Sequence, residues 1–211
     1  MKVLIVSASQ RKNSMSMALS QYVNQNAFQD KQTVNTDIIE LSQYPVLLDH
    51  YGESQGRDDE LEQQKAYLLT KLYACDAIVF VVPEWGGMVP PALVNLLLLT
   101  ANGSAGGLPL GHKPAFAIGV SASGGGANPI SLLKAYAAKN SHLTWLPLHA
   151  VVQNVEDFVN TPWQPDASGS RIYNVQSRID VGLKALAIYA EQLKPAREQL
   201  VALSKVNPFG Q

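Results

Sequence analysis

Runs of apolar residues without polar alternation mark the predicted strands of this chain. The residues from Ala77 to Val82 form one such run, and this pattern is typical of a parallel strand that is covered on both faces. It predicts a strand in the middle of a sheet. Four more strands are predicted: Lys2 to Val6, Val34 to Leu41, Lys113 to Val120 and Leu143 to Val152. The strand at Val34 to Leu41 is amphipathic, as an edge strand is.

Helical patterns alternate with these strands. Helices are predicted at about residues 15–28, 58–74, 91–99, 130–139 and 174–203. Alternating strands and helices with connections of this length give a parallel sheet with right-handed crossovers. We therefore predict an α/β fold, a flavodoxin-like three-layer sandwich with five parallel strands in the order 2-1-3-4-5 and helices on both faces. Since 211 residues that are 46% hydrophobic suffice for one sizeable core, we expect residues 1–211 to form a single domain.

Two connections are longer than this fold requires. One runs from Ser42 to Arg57 and is interpreted as a lid or a partner surface. The other is a polar insertion from Glu156 to Ser170, ahead of the last predicted helix.

Charge and composition exclude several classes of function. Sixteen basic and seventeen acidic residues leave a net charge of -1 without a block of like charge, so we expect neither nucleic acid nor an anionic membrane as a partner. The single cysteine, Cys75, is interpreted as a packing residue in a reducing compartment. The apolar runs at the start and at 93–101 are too short for a signal peptide or a membrane span, which predicts a cytoplasmic protein. No metal site is expected because the histidines are scattered: His50, His112, His142 and His149.

Polar or glycine-rich loops follow the first, third and fourth strands. In the predicted strand order these loops converge at one edge of the sheet, where open α/β sheets bind ligands. The first loop, Ser7 to Ser14, leads into a helix and carries polar groups and one guanidinium suited to a phosphate: Ser7, Ser9, Arg11, Asn13, Ser14 and Ser16. The spacing is neither that of a dinucleotide fold nor that of a P-loop, which favours a monophosphate.

The other two loops suit a planar ring. The second loop, Pro83 to Met88, offers Trp85 and two glycines, on which a flat aromatic ligand could lie. The third loop, Ser121 to Asn128, offers the N–H groups of Gly124, Gly125 and Gly126 for carbonyl oxygens or negative charge. Glycines in any one loop could equally do no more than close a turn. A ligand with one phosphate and a planar, carbonyl-bearing ring matches all three loops together.

At these residues the sequence resembles the NAD(P)H-dependent FMN reductase family, which includes flavin, quinone, chromate and azo-dye reductases. Residues 8–16, ASQRKNSMS, correspond to the family's GSLRxxSxN, with Ser9, Arg11 and Ser14 at phosphate-binding positions. Residues 83–95, PEWGGMVPPALVN, correspond to PEYNGSxPxxLKN. Trp85 here replaces a tyrosine, and Gly86 replaces an asparagine. The third loop is similar to the family's serine- and glycine-rich segment after strand four.

This resemblance implies a cofactor and a reaction. FMN would accept hydride from NAD(P)H and pass electrons to a small acceptor such as a quinone, free flavin, azo compound or metal oxyanion. No catalytic side chain is expected, and hydrogen bonding that shapes the loop is predicted for Glu84. Family members are commonly homodimers or homotetramers, and the apolar helix after Pro90 would suit such a contact. The implied FMN-binding residues are Ser9, Arg11, Ser14, Met15, Ser16, Pro83, Glu84, Trp85, Gly86, Gly87, Met88, Ser121, Gly124 and Gly125.

Two other functions remain open from the sequence. The changes in the second loop would also fit a flavodoxin-like electron carrier, or a catalytically degenerate subunit that serves interactions. A serine hydrolase is the other alternative, because a serine follows a strand at Gly119 to Ser123. That segment, GVSAS, lacks the second glycine of the GxSxG motif and is therefore disfavoured. The sequence does not distinguish NADH from NADPH.

Overall fold

The computed structural model describes residues 1–28, 33–48, 59–101 and 107–206, in which strands and helices alternate as predicted. The strands are β1 (Lys2–Ser7), β2 (Asn35–Glu40), β3 (Ala77–Pro83), β4 (Pro114–Val120), β5 (Thr144–Trp145) and β6 (Ala150–Val152). The α-helices are α1 (Met15–Asn26), α2 (Asp59–Ala74), α3 (Pro91–Leu99), α4 (Asn128–Tyr136), α5 (Ala138–Ser141), α6 (Val155–Asn160), α7 (Arg171–Leu193) and α8 (Arg197–Ser204).

The sheet confirms the predicted strand order. Its strands lie in the order β2-β1-β3-β4-β5, and every pairing is parallel. The predicted fifth strand, Leu143 to Val152, is nevertheless two strands, of which β5 pairs with the start of β4 and β6 with its end. Pro147 lies in the gap between them, and proline has no N–H to donate to a strand ladder. The fifth position of the sheet is therefore interrupted.

Helices cover both faces of the sheet, so the three-layer prediction is also confirmed. Alternate residues of β3 point to opposite faces: Ile78 and Phe80 pack in one core, and Val79 and Val81 in the other. The first core takes apolar side chains from the helices α2, α3 and α4, including Leu68, Leu72, Leu93, Leu96 and Leu133. The second takes them from α1, α6 and α7, including Leu19, Val23, Phe158, Ile179 and Leu183.

Helix boundaries differ from the predictions in two places. The predicted last helix, 174–203, is broken into α7 and α8 at residues 194–196, where Pro195 removes a helical donor and clashes with the preceding turn. The polar insertion at 156–170 is not irregular throughout, because α6 begins at Val155 and Phe158 is buried in the second core. Its later part is held by the buried Gln176, whose amide nitrogen donates to the carbonyl of Pro162 at 3.0 Å.

The long connection at 42–57 is described only at its start. Pro45–Leu48 forms a short 3-10 helix, and the Asn95 amide on α3 donates to the Leu47 carbonyl at 2.5 Å. This part packs against α3, while residues 49–58, which carry most of the predicted lid and His50, lie outside the described residues. Within the described ranges, no helix is long and apolar enough to cross a membrane. No group of three or more His, Cys, Asp or Glu side chains in those ranges is placed to hold a metal ion.

Cys75 is a packing residue, as predicted. It is buried beside Asp76 at the junction of α2 and β3, and burial raises the pKa of its thiol. The buried Lys113 ammonium lies nearby and donates to the carbonyls of Leu72 and Tyr73 at 2.5 and 2.8 Å. These carbonyls end α2, so the lysine completes the hydrogen bonds that the helix terminus lacks.

Candidate functional site

The three predicted loops meet in a cleft of about 510 Å³ at the carboxyl ends of β1, β3 and β4. Ten of the residues implied by the family resemblance line it: Ser9, Arg11, Ser14, Met15, Ser16, Pro83, Glu84, Trp85, Gly86 and Ser121. Four others belong to the same loops but are not part of the cleft wall: Gly87, Met88, Gly124 and Gly125. The sequence therefore located the cleft, although a ligand contact with each of these residues remains a prediction.

The first loop ends at the N-terminus of α1 and is shaped by its own hydroxyls. Ser14 is the N-cap residue, and its Oγ accepts from the Met17 N–H at 3.2 Å. The Ser9 side chain is buried, and its Oγ accepts from the Arg11 N–H at 3.2 Å. Each serine still has its own O–H to donate. Together with the positive end of the helix, these groups form a site suited to an anion.

The second loop is a tight two-residue turn. The N–H groups of Trp85 and Met88 each donate to the other residue's carbonyl, at 3.1 and 3.0 Å. Gly86 and Gly87 lie between them with φ of 58° and 81°, and a type I′ turn requires positive φ at both central positions. Asn-Gly and Gly-Gly both satisfy that requirement at low cost. The glycine at position 86 therefore preserves the turn that an asparagine would also allow.

The first two loops are in contact through two side chains. The Arg11 guanidinium lies over the Trp85 ring, with Cζ 4.9 Å from the ring centroid, which is a cation–π distance. Gln10 of the first loop also contacts α3, since its Oε1 accepts a hydrogen bond from the Ala92 N–H at 3.1 Å. The N-cap of α3 is Pro90, which makes no side-chain capping bond. Gln10 therefore satisfies a helix donor that the second loop leaves free.

The third loop is fixed by hydrogen bonds from its neighbours. Ser121 Oγ accepts from the Ser123 and Gly125 N–H groups at 3.1 and 3.2 Å. Glu84 Oε2 accepts from the Gly126 N–H at 2.5 Å. The prediction of three free N–H groups at Gly124 to Gly126 is therefore wrong for Gly125 and Gly126, because both are used within the protein. Glu84 makes a loop-shaping hydrogen bond, as predicted, but it shapes the third loop rather than the second loop, to which it belongs.

Residues outside the recognised motifs also hold the third loop. The Gln153 amide nitrogen donates to the carbonyls of Gly124 and Gly125, and the Arg171 guanidinium donates to Gln153 Oε1. Arg171 is the first residue of α7, directly after the polar insertion. Gln153 follows β6 without a motif around it, so neither residue carried a signal in the sequence that pointed to the site.

Asn13 of the first loop also lines the cleft, and four further residues do so without having been predicted to bind a ligand: Lys12, Val120, Ala122 and Val155. Lys12 adds a second cation, so the charged side chains of the wall are Arg11, Lys12 and Glu84. Two cations against one carboxylate make the charge of this wall positive, in a chain of net charge -1. Among the residues that the structure describes, no histidine lines the cleft, so none of the described histidines is placed as the base that a serine hydrolase would need beside Ser121.

Comparison with known proteins identifies a family for most of the chain. A family model described as NADPH-dependent FMN reductase matches residues 1–156. Similar solved structures include an oxidoreductase from Corynebacterium diphtheriae, at 15% identity and a TM-score of 0.63, covering 90% of this chain and 97% of that one. The NAD(P)H:(acceptor) oxidoreductase FerB from Paracoccus denitrificans is 17% identical, with a TM-score of 0.55, and covers 90% and 97%. An NADH:FMN oxidoreductase, EMOB, is 10% identical, with a TM-score of 0.63, and covers 90% and 89%. At these identities the likeness establishes the fold alone, and no curated protein sequence matches significantly.

Proposed function

Since the chain belongs to the NADPH-dependent FMN reductase family, we propose that its cleft holds FMN with the phosphate on the first loop. Membership of this family makes the protein an NAD(P)H-dependent oxidoreductase with FMN as its cofactor. One observation carries this proposal. The anion site at the start of α1 and the second loop, with Gly86 in its turn, lie in the wall of a single cleft. A ligand with one phosphate and one planar ring system fits this cleft, with its phosphate on the first loop and its ring along the main chain of the second.

The residues of the first loop fit a phosphate. The hydroxyls of Ser9 and Ser14 and the guanidinium of Arg11 border the cleft beside the first turn of α1. Among the described residues that line the cleft, the one carboxylate is that of Glu84, which belongs to the second loop and accepts a hydrogen bond from the Gly126 N–H. A phosphate would therefore meet donors and positive charge.

The protein's part in the proposed reaction is binding and orientation. FMN, when bound, supplies the chemistry by accepting hydride from the nicotinamide and giving electrons to the second substrate. Glu84 and Gln153 hold the third loop from two sides, which fixes the shape of the cleft before a ligand enters. Preorganisation of this kind lowers the ordering cost of binding. No side chain is assigned as a general acid or base.

The proposed acceptor is a small oxidised molecule such as a quinone, a free flavin, an azo compound or a metal oxyanion. The cleft is open to solvent on the side of Arg11 and Gly86, both of which are exposed. This access supports two successive substrates on one surface. The choice among these acceptors needs turnover measurements with each of them.

The first experiment is spectroscopic. Purified protein is mixed with FMN, separated from excess flavin, and titrated with NADPH and with NADH under anaerobic conditions. Retained flavin that bleaches supports the reductase. Retained flavin that does not bleach with either nucleotide favours the electron carrier instead, and failure to retain flavin would contradict the proposed site.

The phosphate assignment has its own test in Arg11→Ala. A charge-assisted hydrogen bond contributes about 1.5–3 kcal/mol, so we expect the Kd for FMN to rise roughly 10- to 100-fold. Arg11→Lys is the matched control, because it keeps the charge but loses the planar fork of the guanidinium. Its Kd for FMN should lie between those of the wild type and of Arg11→Ala. An Arg11→Ala protein with unchanged affinity for FMN would remove the guanidinium from the phosphate site.

We also propose that the chain forms a homodimer or homotetramer through the layer of α3 and α4. Large apolar side chains are exposed there and on the adjoining second loop: Met88, Leu98, Leu132 and Tyr136. Exposed apolar residues grouped on one layer are typical of an interaction surface. Sedimentation equilibrium of the wild type and of Leu132→Glu tests this, since the charged variant should have a higher dissociation constant and so dissociate already at protein concentrations at which the wild type stays assembled. A monomeric wild type would rule the interface out.

A further inference from the structure

Trp85 contacts a different partner from the one that the family resemblance implies for it. Its position in the motif implies contact with the flavin ring, yet the side chain that lies over its ring is the Arg11 guanidinium, at 4.9 Å from the centroid. We infer that Trp85 is a positioning residue for the phosphate, which acts by holding Arg11 in place, and that it thereby sets the preference for FMN over riboflavin. This inference rests on the proposed function, because it takes Arg11 to be the phosphate ligand.

The main chain that carries the Trp85 indole is held in place by hydrogen bonds. Two main-chain hydrogen bonds between Trp85 and Met88 close the turn. On the other side, the Glu84 N–H donates to the Val120 carbonyl at 3.0 Å, and its carboxylate is bonded to the Gly126 N–H. The main chain at Trp85 is thus fixed through Glu84 on one side and through Met88 on the other. An indole on a fixed main chain can restrict the motion of a side chain that lies against it.

Arg11, by contrast, has few restraints of its own. Its side chain is exposed, and no carboxylate in the described part of the chain forms an ion pair with it. A long, free side chain loses rotamer entropy when it binds an anion. Contact with the Trp85 ring removes part of that freedom before the anion arrives.

Contact with the indole is compatible with phosphate binding by Arg11. In a stacked cation–π contact the face of the guanidinium lies on the ring, whereas its N–H donors lie in the plane of the group. In that arrangement the planar fork binds two phosphate oxygens while its face stays on the indole. A ligand without a phosphate gains nothing from this arrangement. Riboflavin has the same ring system as FMN and lacks the phosphate. Comparing the two ligands therefore separates a contact of Trp85 with the flavin ring from its positioning of Arg11 for the phosphate.

The test compares dissociation constants for FMN and riboflavin, measured from the quenching of flavin fluorescence. The proteins are wild type, Trp85→Leu, Trp85→Phe, Arg11→Ala and the double variant Arg11→Ala/Trp85→Leu. We expect Trp85→Leu to raise the Kd for FMN roughly fivefold and to change that for riboflavin by less than about twofold. Trp85→Phe should give an intermediate value for FMN, because it keeps part of the aromatic face. In the Arg11→Ala background, the leucine substitution should have no further effect.

Two results would overturn the inference while leaving the proposed function intact. The first is an equal loss of affinity for both flavins in Trp85→Leu, and the second is an effect of that substitution that persists without Arg11. Either would show that Trp85 touches the flavin ring directly. A wild-type protein that binds neither flavin would instead reject the proposed function, and the inference with it. Trp85→Phe should show the same difference between FMN and riboflavin with a smaller change in Kd. The test therefore does not depend on whether the leucine variant folds.

Discussion

Gly119 in β4 determines how closely the third loop can approach the sheet, and Gly119→Ala should displace that loop. A Cβ atom at position 119 would lie 2.0 Å from the Gly126 carbonyl oxygen and 3.0 Å from its carbonyl carbon. Contacts of a real Cβ are essentially never shorter than 3.0 Å. The strand and the loop would therefore have to separate by about 1 Å or more. Both partners in this clash are backbone, so no change of rotamer can relieve it.

The size of the effect follows from two opposing terms. Replacing glycine by alanine restricts the unfolded chain and on its own stabilises a protein by about 0.4–1 kcal/mol. Forcing an extra methyl group into a packed site costs about 1–3 kcal/mol, and a shift of Gly126 also weakens its hydrogen bond with Glu84, for about 1 kcal/mol more. The unfavourable terms are larger. We expect a net loss of roughly 1–3 kcal/mol in the free energy of unfolding.

Gly182→Ala is the matched control for this experiment. A Cβ at position 182 on α7 would lie 2.4 Å from two ring carbons of Phe116, which also belongs to β4. The substitution is the same and the crowding is similar, but Phe116 packs in the core on the α7 side of the sheet rather than at the cleft. Gly182→Ala should therefore lower the free energy of unfolding without displacing the third loop.

The assay combines urea unfolding with a measurement of the Kd for FMN on the same three proteins. We expect Gly119→Ala to lose stability and to bind FMN roughly tenfold more weakly, while Gly182→Ala loses stability only. If Gly119→Ala matches wild type in both measurements, the close approach of the loop to β4 is wrong. If it loses stability and keeps its affinity, the third loop does not contact the flavin.

Three further variants test other contacts. Glu84→Ala should cost about 1–3 kcal/mol in urea unfolding because it leaves the Gly126 N–H without its acceptor, whereas Glu84→Gln should cost less; equal costs would contradict that role. Gln153→Leu should speed hydrogen exchange in the third loop, since it releases two carbonyls, and unchanged exchange would mean that the amide does not restrain the loop. Burial alone would raise the pKa of Asp76, but a hydrogen bond from the β1 main chain and the Lys194 ammonium outweigh it and hold that pKa below 3.8. Because the folded state binds the proton less well than the unfolded state, the stabilisation by Asp76 is present above pH 3.8 and is lost as the pH falls through the folded pKa. Asp76→Asn should therefore show a flatter decline in stability on acidification than wild type, and an identical decline would refute the linkage.

The fold could be predicted from the sequence because its signals are local. The unbroken apolar run of Ala77 to Val82 identifies a central strand by itself, and the alternation of strands and helices restricts the topology. The two errors of segmentation also had local causes that were present in the sequence. Pro147 interrupts the fifth strand and Pro195 divides the last helix, but apolar patterns continue on both sides of each proline. Because the apolar pattern is unchanged across each proline, it conceals the missing backbone donor that ends the strand or the helix.

The interior of the site was less predictable, because its contacts join residues that are distant in sequence. The Glu84 carboxylate meets Gly126, and Gln153 meets Gly124 and Arg171. A glycine-rich loop shows that the backbone can turn tightly, but it does not show which of its N–H groups stay free. That depends on which side chains the neighbouring loops direct toward it, and therefore on tertiary structure.

These contacts between loops bear on the departures from the family motif. Trp85 keeps an aromatic face under Arg11, and Gly86 keeps the positive φ that the turn requires. Neither substitution removes a group that holds the cleft together. Gln10 joins the first loop to α3, and Glu84 joins the second loop to the third, so each loop is tied to the element beside it. Ordering these loops is then part of folding rather than of ligand binding. A chain that had lost its ligand would have no need of that order, and its persistence favours a working cofactor site over a degenerate one.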